Sequence, residues 1–186
     1  IVDVAGMVRL FVKSLSPFVS IYVSTINIDP TDPMMPISSP RSFASEVADK
    51  GGRYYTQGMP EDTWALNEGR LDEDTFLEQS EHIHAEREAM LWYELDRWQD
   101  GIVVLVFDTV DRIQHMFWHH IDPQHPLYSE AGAARYGRVI ENWYRKMDTL
   151  LGQVQDRLAK EKDDTLLVVL SDHGFTSFRR AVHLNT

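Results

Sequence analysis

The hydrophobic pattern divides the chain into short apolar runs and two long helical stripes. Residues 8–13 (VRLFVK) and 18–23 (FVSIYV) are rich in β-branched and aromatic side chains and predict two short strands, joined through Ser14, Leu15, Ser16 and Pro17. Prolines at 30, 33, 36 and 40 exclude a regular helix or central strand between Asn27 and Pro40, so that stretch reads as an extended or ordered connector. Ser42 stands where a cap is expected for a short helix with Phe43, Val47 and Ala48 on one face, and Gly51-Gly52 should stop it. Residues 53–70, with Gly58, Pro60 and Gly69, predict irregular structure.

A longer helix is expected from about 72 to 98. Asp72, Glu73 and Asp74 stand in its first turn, where the helix dipole favours anions. Phe76, Leu77, Ile83, Met90, Leu91, Leu95 and Trp98 approximate a 3.6-residue stripe. His82 and His84 are two apart, do not share a face, and are expected at the surface. Residues 102–107 (IVVLVF) and 165–170 (TLLVVL) are apolar runs of the kind that suits strands buried on both faces of a parallel sheet. Between them a helix is expected over about 129–160, on the stripe Tyr136, Val139, Ile140, Trp143, Met147, Leu150, Leu151, Val154 and Leu158, locally weakened by Gly132, Gly137 and Gly152. The order strand, helix, strand is a βαβ unit and predicts the α/β class, a mainly parallel sheet flanked by helices.

Composition narrows the chemistry. Eighteen Lys and Arg against 29 Asp and Glu in 186 residues give a formal charge of −11, a poor match to a nucleic-acid backbone, so no nucleic-acid duplex is expected as partner. The absence of cysteine excludes disulfide scaffolds, thiolate zinc sites and thiol nucleophiles. At 43% apolar and 25% charged the chain has globular composition rather than wholesale disorder. The runs 102–107 and 166–170 are far too short to span a bilayer, so no transmembrane segment is expected. The chain opens on Ile1, not Met, and no leader begins it, so its N-terminus is expected to lie further upstream.

Polar clusters follow both buried runs. The first leads into Asp108, Thr109, Val110, Asp111, Arg112, Ile113, Gln114 and His115; the second into Ser171, Asp172, His173, Gly174 and Phe175. Ligands of open α/β sheets bind beyond the carboxyl ends of the strands, where both clusters fall. Asp111 and His115, four apart, share a face if the chain turns helical there. Gly174 is suited to a tight turn that lets Asp172 and His173 reach one centre. Either motif alone is commonly a solvated pair or turn chemistry. Together, flanking one crossover, they point to a shared metal site, and carboxylate with imidazole suits Zn, Mn or Fe. Asp108 has two readings, a partner that orients a ligand histidine or an ordinary strand-end turn. His119, His120 and His125 lie past the motif and are expected to line a loop. Arg112, Arg179 and Arg180 are either phosphate contacts or solvated cations.

The segments Phe107–Trp118 and Leu170–Phe175 resemble the alkaline phosphatase superfamily, and more narrowly its type I phosphodiesterase/nucleotide pyrophosphatase branch. Ile28-Asp29-Pro30, Pro36–Pro40, Tyr55–Thr63 and Phe178–Asn185 are similar to that branch too, so the resemblance covers most of the chain. It implies an alkaline-phosphatase-like sheet, with residues 1–186 as the central portion of one catalytic domain and 27–100 as a cap or insertion within it. It further implies two divalent ions, zinc or else manganese, with Asp111 and His115 serving one and Asp172 and His173 the other. The family attacks with a Thr or Ser hydroxyl, forming a phospho-enzyme that water hydrolyses. That nucleophile and an early metal-binding Asp are expected upstream of Ile1, since Asp3 does not match, and a further His ligand is expected downstream of Thr186. His183 does not match that ligand and stands, with Arg112 and Arg179, as a substrate-side candidate.

The implied activity is metal-dependent hydrolysis of a small phosphate ester, of phosphodiesterase or nucleotide pyrophosphatase type, with these 186 residues alone expected to be inactive or very weak. A phosphomutase or sulfatase of the same superfamily, or a non-catalytic α/β domain that retains the metal pocket, are the alternatives. The −11 charge does not oppose this reading, because two divalent ions add four positive charges where the anion binds.

Overall fold

The computed structural model of the chain describes residues 5–161, 165–177, 180 and 182–184, in two units, Ile1–Thr109 and Val110–Thr186. In the first unit, β1 (Gly6–Met7) pairs antiparallel with β4 (Asn27–Ile28), and β2 (Leu10–Ser14) forms an antiparallel hairpin with β3 (Ser20–Val23). The two strands expected over 8–13 and 18–23 are this hairpin. Strand alternation puts Phe11 and Tyr22 on one face, their rings 5.9 Å apart. The opposite face carries the pairs Leu10–Val23 and Val12–Ile21, all exposed.

The connector is followed by α1 (Phe43–Gly51), close to expectation, and Gly52 ends it at φ +85°. Ser42 occupies the cap position without a side-chain cap bond, because its backbone is already helical; the hydroxyl of Ser38 accepts from Ala44 N instead, at 3.1 Å. The stretch 53–70 is less irregular than expected. It holds α2 (Thr63–Asn67), capped by Asp62, which accepts from Ala65 N at 2.9 Å. Asp62 also accepts from the Tyr22 hydroxyl at 2.5 Å, and burial together with this carboxylate pushes the phenol's pKa upward.

The long helix α3 (Glu73–Arg97) forms as the pattern predicts, capped by Asp72, and packs against α1 through a face that buries Phe76, Ile83, Leu91 and Leu95. His84 corrects the surface expectation. It is 0% exposed, its ring 5.4 Å from that of Phe107, whereas His82 is exposed. Two positions on a helix differ by about 200°, so of such a pair one residue can face the core. Glu86, on the same helix, accepts from Tyr55 N at 3.0 Å and from Arg9, and burial raises its carboxyl above the ordinary range. Trp64, in α2, is 65% exposed.

The second unit is helical. α4 (Thr109–Phe117) begins at the last residue of the first unit and runs into a 3₁₀ turn at Trp118–His120; α5 (Glu130–Tyr136) and α6 (Val139–Leu158) follow. The one long helix expected over 129–160 is thus two. It breaks at Gly137, where an added Cβ would lie 2.5 Å from the Ala133 carbonyl oxygen, too close for any other residue without a shift. Ile113 and Phe117 of α4, Tyr136 of α5, and Ile140, Trp143, Leu150 and Val154 of α6 are buried, and Tyr144 donates to Gln114 across α6 and α4 at 3.2 Å.

Residues 102–107 and 165–170 are paired into no sheet among the described residues. Ile102, Val104 and Val106 are exposed, while Leu105 and Phe107 are partly covered. A strand buried on both faces needs neighbours along both edges and a layer over each face, and each segment stands without these in the described part of its unit. Among the described residues no helix is long and apolar enough to cross a membrane.

Candidate metal centre

The second unit brings the two motifs together. α4 puts Asp111 and His115 one turn apart on one face, with His115 Nε2 3.5 Å from Asp111 Oδ1. The chain after residue 170 makes a local turn in which Ser171 Oγ donates to the His173 carbonyl at 2.6 Å and His173 N donates to Asp172 Oδ1 at 3.0 Å. Asp172 and Ser171, rather than Gly174, make this turn. Gly174 is not among the glycines at positive φ, and a Cβ there would meet nothing within 4 Å. His173 Nε2 comes to 3.6 Å from Asp111 Oδ1 and 3.6 Å from Asp172 Oδ2.

One carboxylate oxygen therefore faces two imidazoles. Asp111 Oδ1 is buried and has no hydrogen-bond partner, while Oδ2 accepts from Arg112 Nη1 at 2.5 Å. His173 Nδ1 lies 3.1 Å from the Gly174 carbonyl, which only accepts, so this bond places the ring proton on Nδ1 and leaves Nε2 as a lone pair in the neutral ring. Lone pair and carboxylate oxygen then oppose each other at 3.6 Å. Donor atoms sharing a tetrahedral zinc at about 2.0–2.2 Å lie about 3.4 Å apart, close to both contacts of Oδ1. The donor chemistry fits a divalent cation. The set is open, however. Among the described residues no group of three or more His, Asp or Glu side chains closes into metal-holding geometry. Asp172 is the outlying member, its side chain 88% exposed and near His173 alone of the other candidate ligands.

An aromatic layer lies behind the ligands. The Phe175 ring meets His115 edge-on at 4.8 Å, His173 at 5.5 Å and Trp118 at 5.8 Å. Trp118 Nε1 donates to Ser177 Oγ at 3.1 Å, and Ser177 donates to Asp122. None of Phe175, Ser177 and Asp122 was singled out by spacing. The available signal was that in extended chain His173 and Phe175, two apart, share a side.

The other candidates are placed as follows. Arg112 is turned onto Asp111, and its Nε is buried without a partner. Asp108 Oδ1 is likewise buried with no hydrogen-bond partner. His119 stacks on His120 with ring centres 3.8 Å apart and meets His125 at 5.8 Å. His120 is buried between Phe117 and Tyr136, which the loop expectation did not foresee. Arg180 and His183 are exposed. Arg179 lies outside the described residues. In the first unit, Thr109 Oγ1, at the start of α4, donates to Glu61 Oε1 at 2.7 Å, both residues being buried.

The two carboxylate and imidazole pairs are donor types that suit divalent ions. The family description type I phosphodiesterase / nucleotide pyrophosphatase matches residues 17–186, and the chain belongs to that family. This agrees with the resemblance to the alkaline phosphatase superfamily. No curated protein and no solved structure matches the chain significantly.

Proposed function

We propose that the chain supplies the metal-holding part of a phosphoric ester hydrolase acting on a small phosphodiester or nucleotide pyrophosphate. Asp111 and His115 serve one divalent ion and Asp172 and His173 the other, with zinc the first choice and manganese the second. The observation that carries this reading is Asp111 Oδ1, a buried acceptor with no hydrogen-bond partner, placed opposite the lone pair of His173 and one turn from His115. A carboxylate oxygen that faces two imidazole nitrogens is a donor set that a divalent cation can bridge.

Bound ions would neutralise charge on the phosphoryl oxygens and clamp the attacking and leaving oxygens of an in-line displacement. The chain's own residues prepare that position. Arg112 holds Asp111 Oδ2, so the carboxylate presents Oδ1 in a fixed orientation. The Gly174 carbonyl holds the His173 tautomer with Nε2 free to ligate. Arg112 Nε remains a donor beside the site, suited to a phosphate oxygen. No Thr or Ser hydroxyl of these residues is assigned the attack on phosphorus. In the intact domain 102–107 and 165–170 are strands of a mainly parallel, alkaline-phosphatase-like sheet, and 27–100 is its cap or insertion.

The test is zinc uptake by the 186-residue chain in equilibrium dialysis, with bound metal counted by mass spectrometry. The wild type is expected to retain zinc, and Asp111→Ala and His173→Ala to lose it. A wild-type chain that retains none, or an Asp111→Ala chain that retains as much, sinks the reading.

A further inference from the structure

We propose that Phe175 is a positioning residue for His115 and His173, held in place by Trp118 and by the hydrogen-bond chain from Trp118 through Ser177 to Asp122. The inference rests on the reading of those histidines as metal ligands. It starts from how little else holds them. Both imidazoles are about half exposed, with side chains 54% and 52% accessible, and an exposed imidazole samples several rotamers. His115 is tied to Asp111 by helical spacing alone. His173 sits on a turn following a segment that no sheet secures among the described residues.

Phe175 restricts both at once. Its ring stands edge-on to His115, interplanar angle 77°, and tilted at 53° to His173, the geometries in which aromatic rings attract rather than merely touch. Its third neighbour, Trp118, opens the 3₁₀ turn that follows α4 and lies tilted at 31° to it. The indole of Trp118 then reaches past Phe175 to Ser177, whose hydroxyl donates to Asp122 in the loop after the 3₁₀ turn. A serine hydroxyl has one proton, so accepting from Trp118 and donating to Asp122 uses it fully and fixes its rotor. The segment 173–177 is thereby fastened at two points to the end of α4 and its loop. The ligands that arrive from opposite ends of the α5–α6 crossover are brought to one oxygen by this fastening.

Two readouts test it. In the metal-free chain, the ring protons of His115 and His173 should carry ring-current shifts from Phe175 in NMR spectra, lost in Phe175→Leu and kept in Phe175→Tyr. In isothermal titration with Zn²⁺, Phe175→Leu and Ser177→Ala should bind about 10–100-fold more weakly than wild type, the range for loss of a group that orients a ligand, while Phe175→Tyr restores affinity. Helix content by circular dichroism should be unchanged in Ser177→Ala, which separates positioning from folding if Phe175→Leu proves unstable. Unshifted histidine resonances, or wild-type Zn²⁺ affinity in a folded Ser177→Ala, overturn the inference while the zinc uptake of wild type stands. A wild type that binds no Zn²⁺ but shows the ring-current shifts overturns the metal reading itself, and the positioning role with it.

Discussion

Thr109→Val tests how the start of α4 is held. Thr109 is 1% exposed and Glu61 2%, and the hydroxyl of one donates to the carboxyl of the other at 2.7 Å, the normal length for an O–H···O bond. Valine keeps the shape of threonine and removes the donor, so packing changes little and a buried acceptor loses this partner. That loss costs about 1–3 kcal/mol. With a urea dependence of roughly 2 kcal/mol per molar for a chain of this size, the unfolding midpoint should fall by about 0.5–1.5 M. The assay is urea titration followed by tryptophan fluorescence, run as a double-mutant cycle with Glu61→Ala. A direct bond predicts a coupling of about 1 kcal/mol between the two sites. Because α4 carries Asp111 and His115, Zn²⁺ affinity should fall in the single mutant as well. An unchanged midpoint in Thr109→Val, or additive effects in the cycle, would show that this hydrogen bond does not hold the helix start.

Two further substitutions address the helices themselves. Gly152 lies within α6 with nothing within 4 Å of an added Cβ, so Gly152→Ala should stabilise by about 1 kcal/mol; Gly137→Ala should destabilise by about 1–3 kcal/mol through collision with the Ala133 carbonyl, and equal effects at the two positions in thermal melts would contradict this. Asp72 Oδ1 accepts from both the hydroxyl and the backbone N–H of Thr75, at 2.6 and 2.8 Å, and these bonds lower its pKa from the ordinary 3.8. Its contribution is therefore present above pH 3.8 and lost as pH falls through the lower folded value; Asp72→Ala should cost about 1 kcal/mol at pH 7 and less at the acid end, and a cost independent of pH in urea titrations would refute the charged cap.

What could be read from the sequence was what depends on near neighbours. The α3 stripe, the alternation of the β2–β3 hairpin and the helical spacing of Asp111 and His115 are each fixed within a few residues, and all three are present. What was misjudged depended on what stands across from a residue. His84 is buried with Phe107 opposite, and the helix expected over 129–160 breaks at Gly137, where the Ala133 carbonyl leaves no room for a Cβ. Gly174 was read as the turn-maker from its type, whereas Ser171 and Asp172 make the turn by hydrogen bonds that no periodicity encodes. The four ligand candidates were legible as two pairs. That both histidines meet Asp111, and that Phe175 backs them, became visible only in space.

The burial of residues 102–107 carries the synthesis one step further. Phe107 is covered on the side where His84 stands, while Ile102, Val104 and Val106 are exposed, so among the described residues one face of the run is partly covered and the other is bare. A surface strand would place polar residues on that open face, since alternation costs nothing in sequence. Valine and isoleucine there lie exposed, and Leu166, Val168, Val169 and Leu170 are exposed in the same way in the other unit. Both runs end at the residues proposed to hold metal. The arrangement about Asp111 Oδ1 is open: His115 and His173 are its two imidazole contacts, at 3.5 and 3.6 Å, and Asp172 reaches His173 alone.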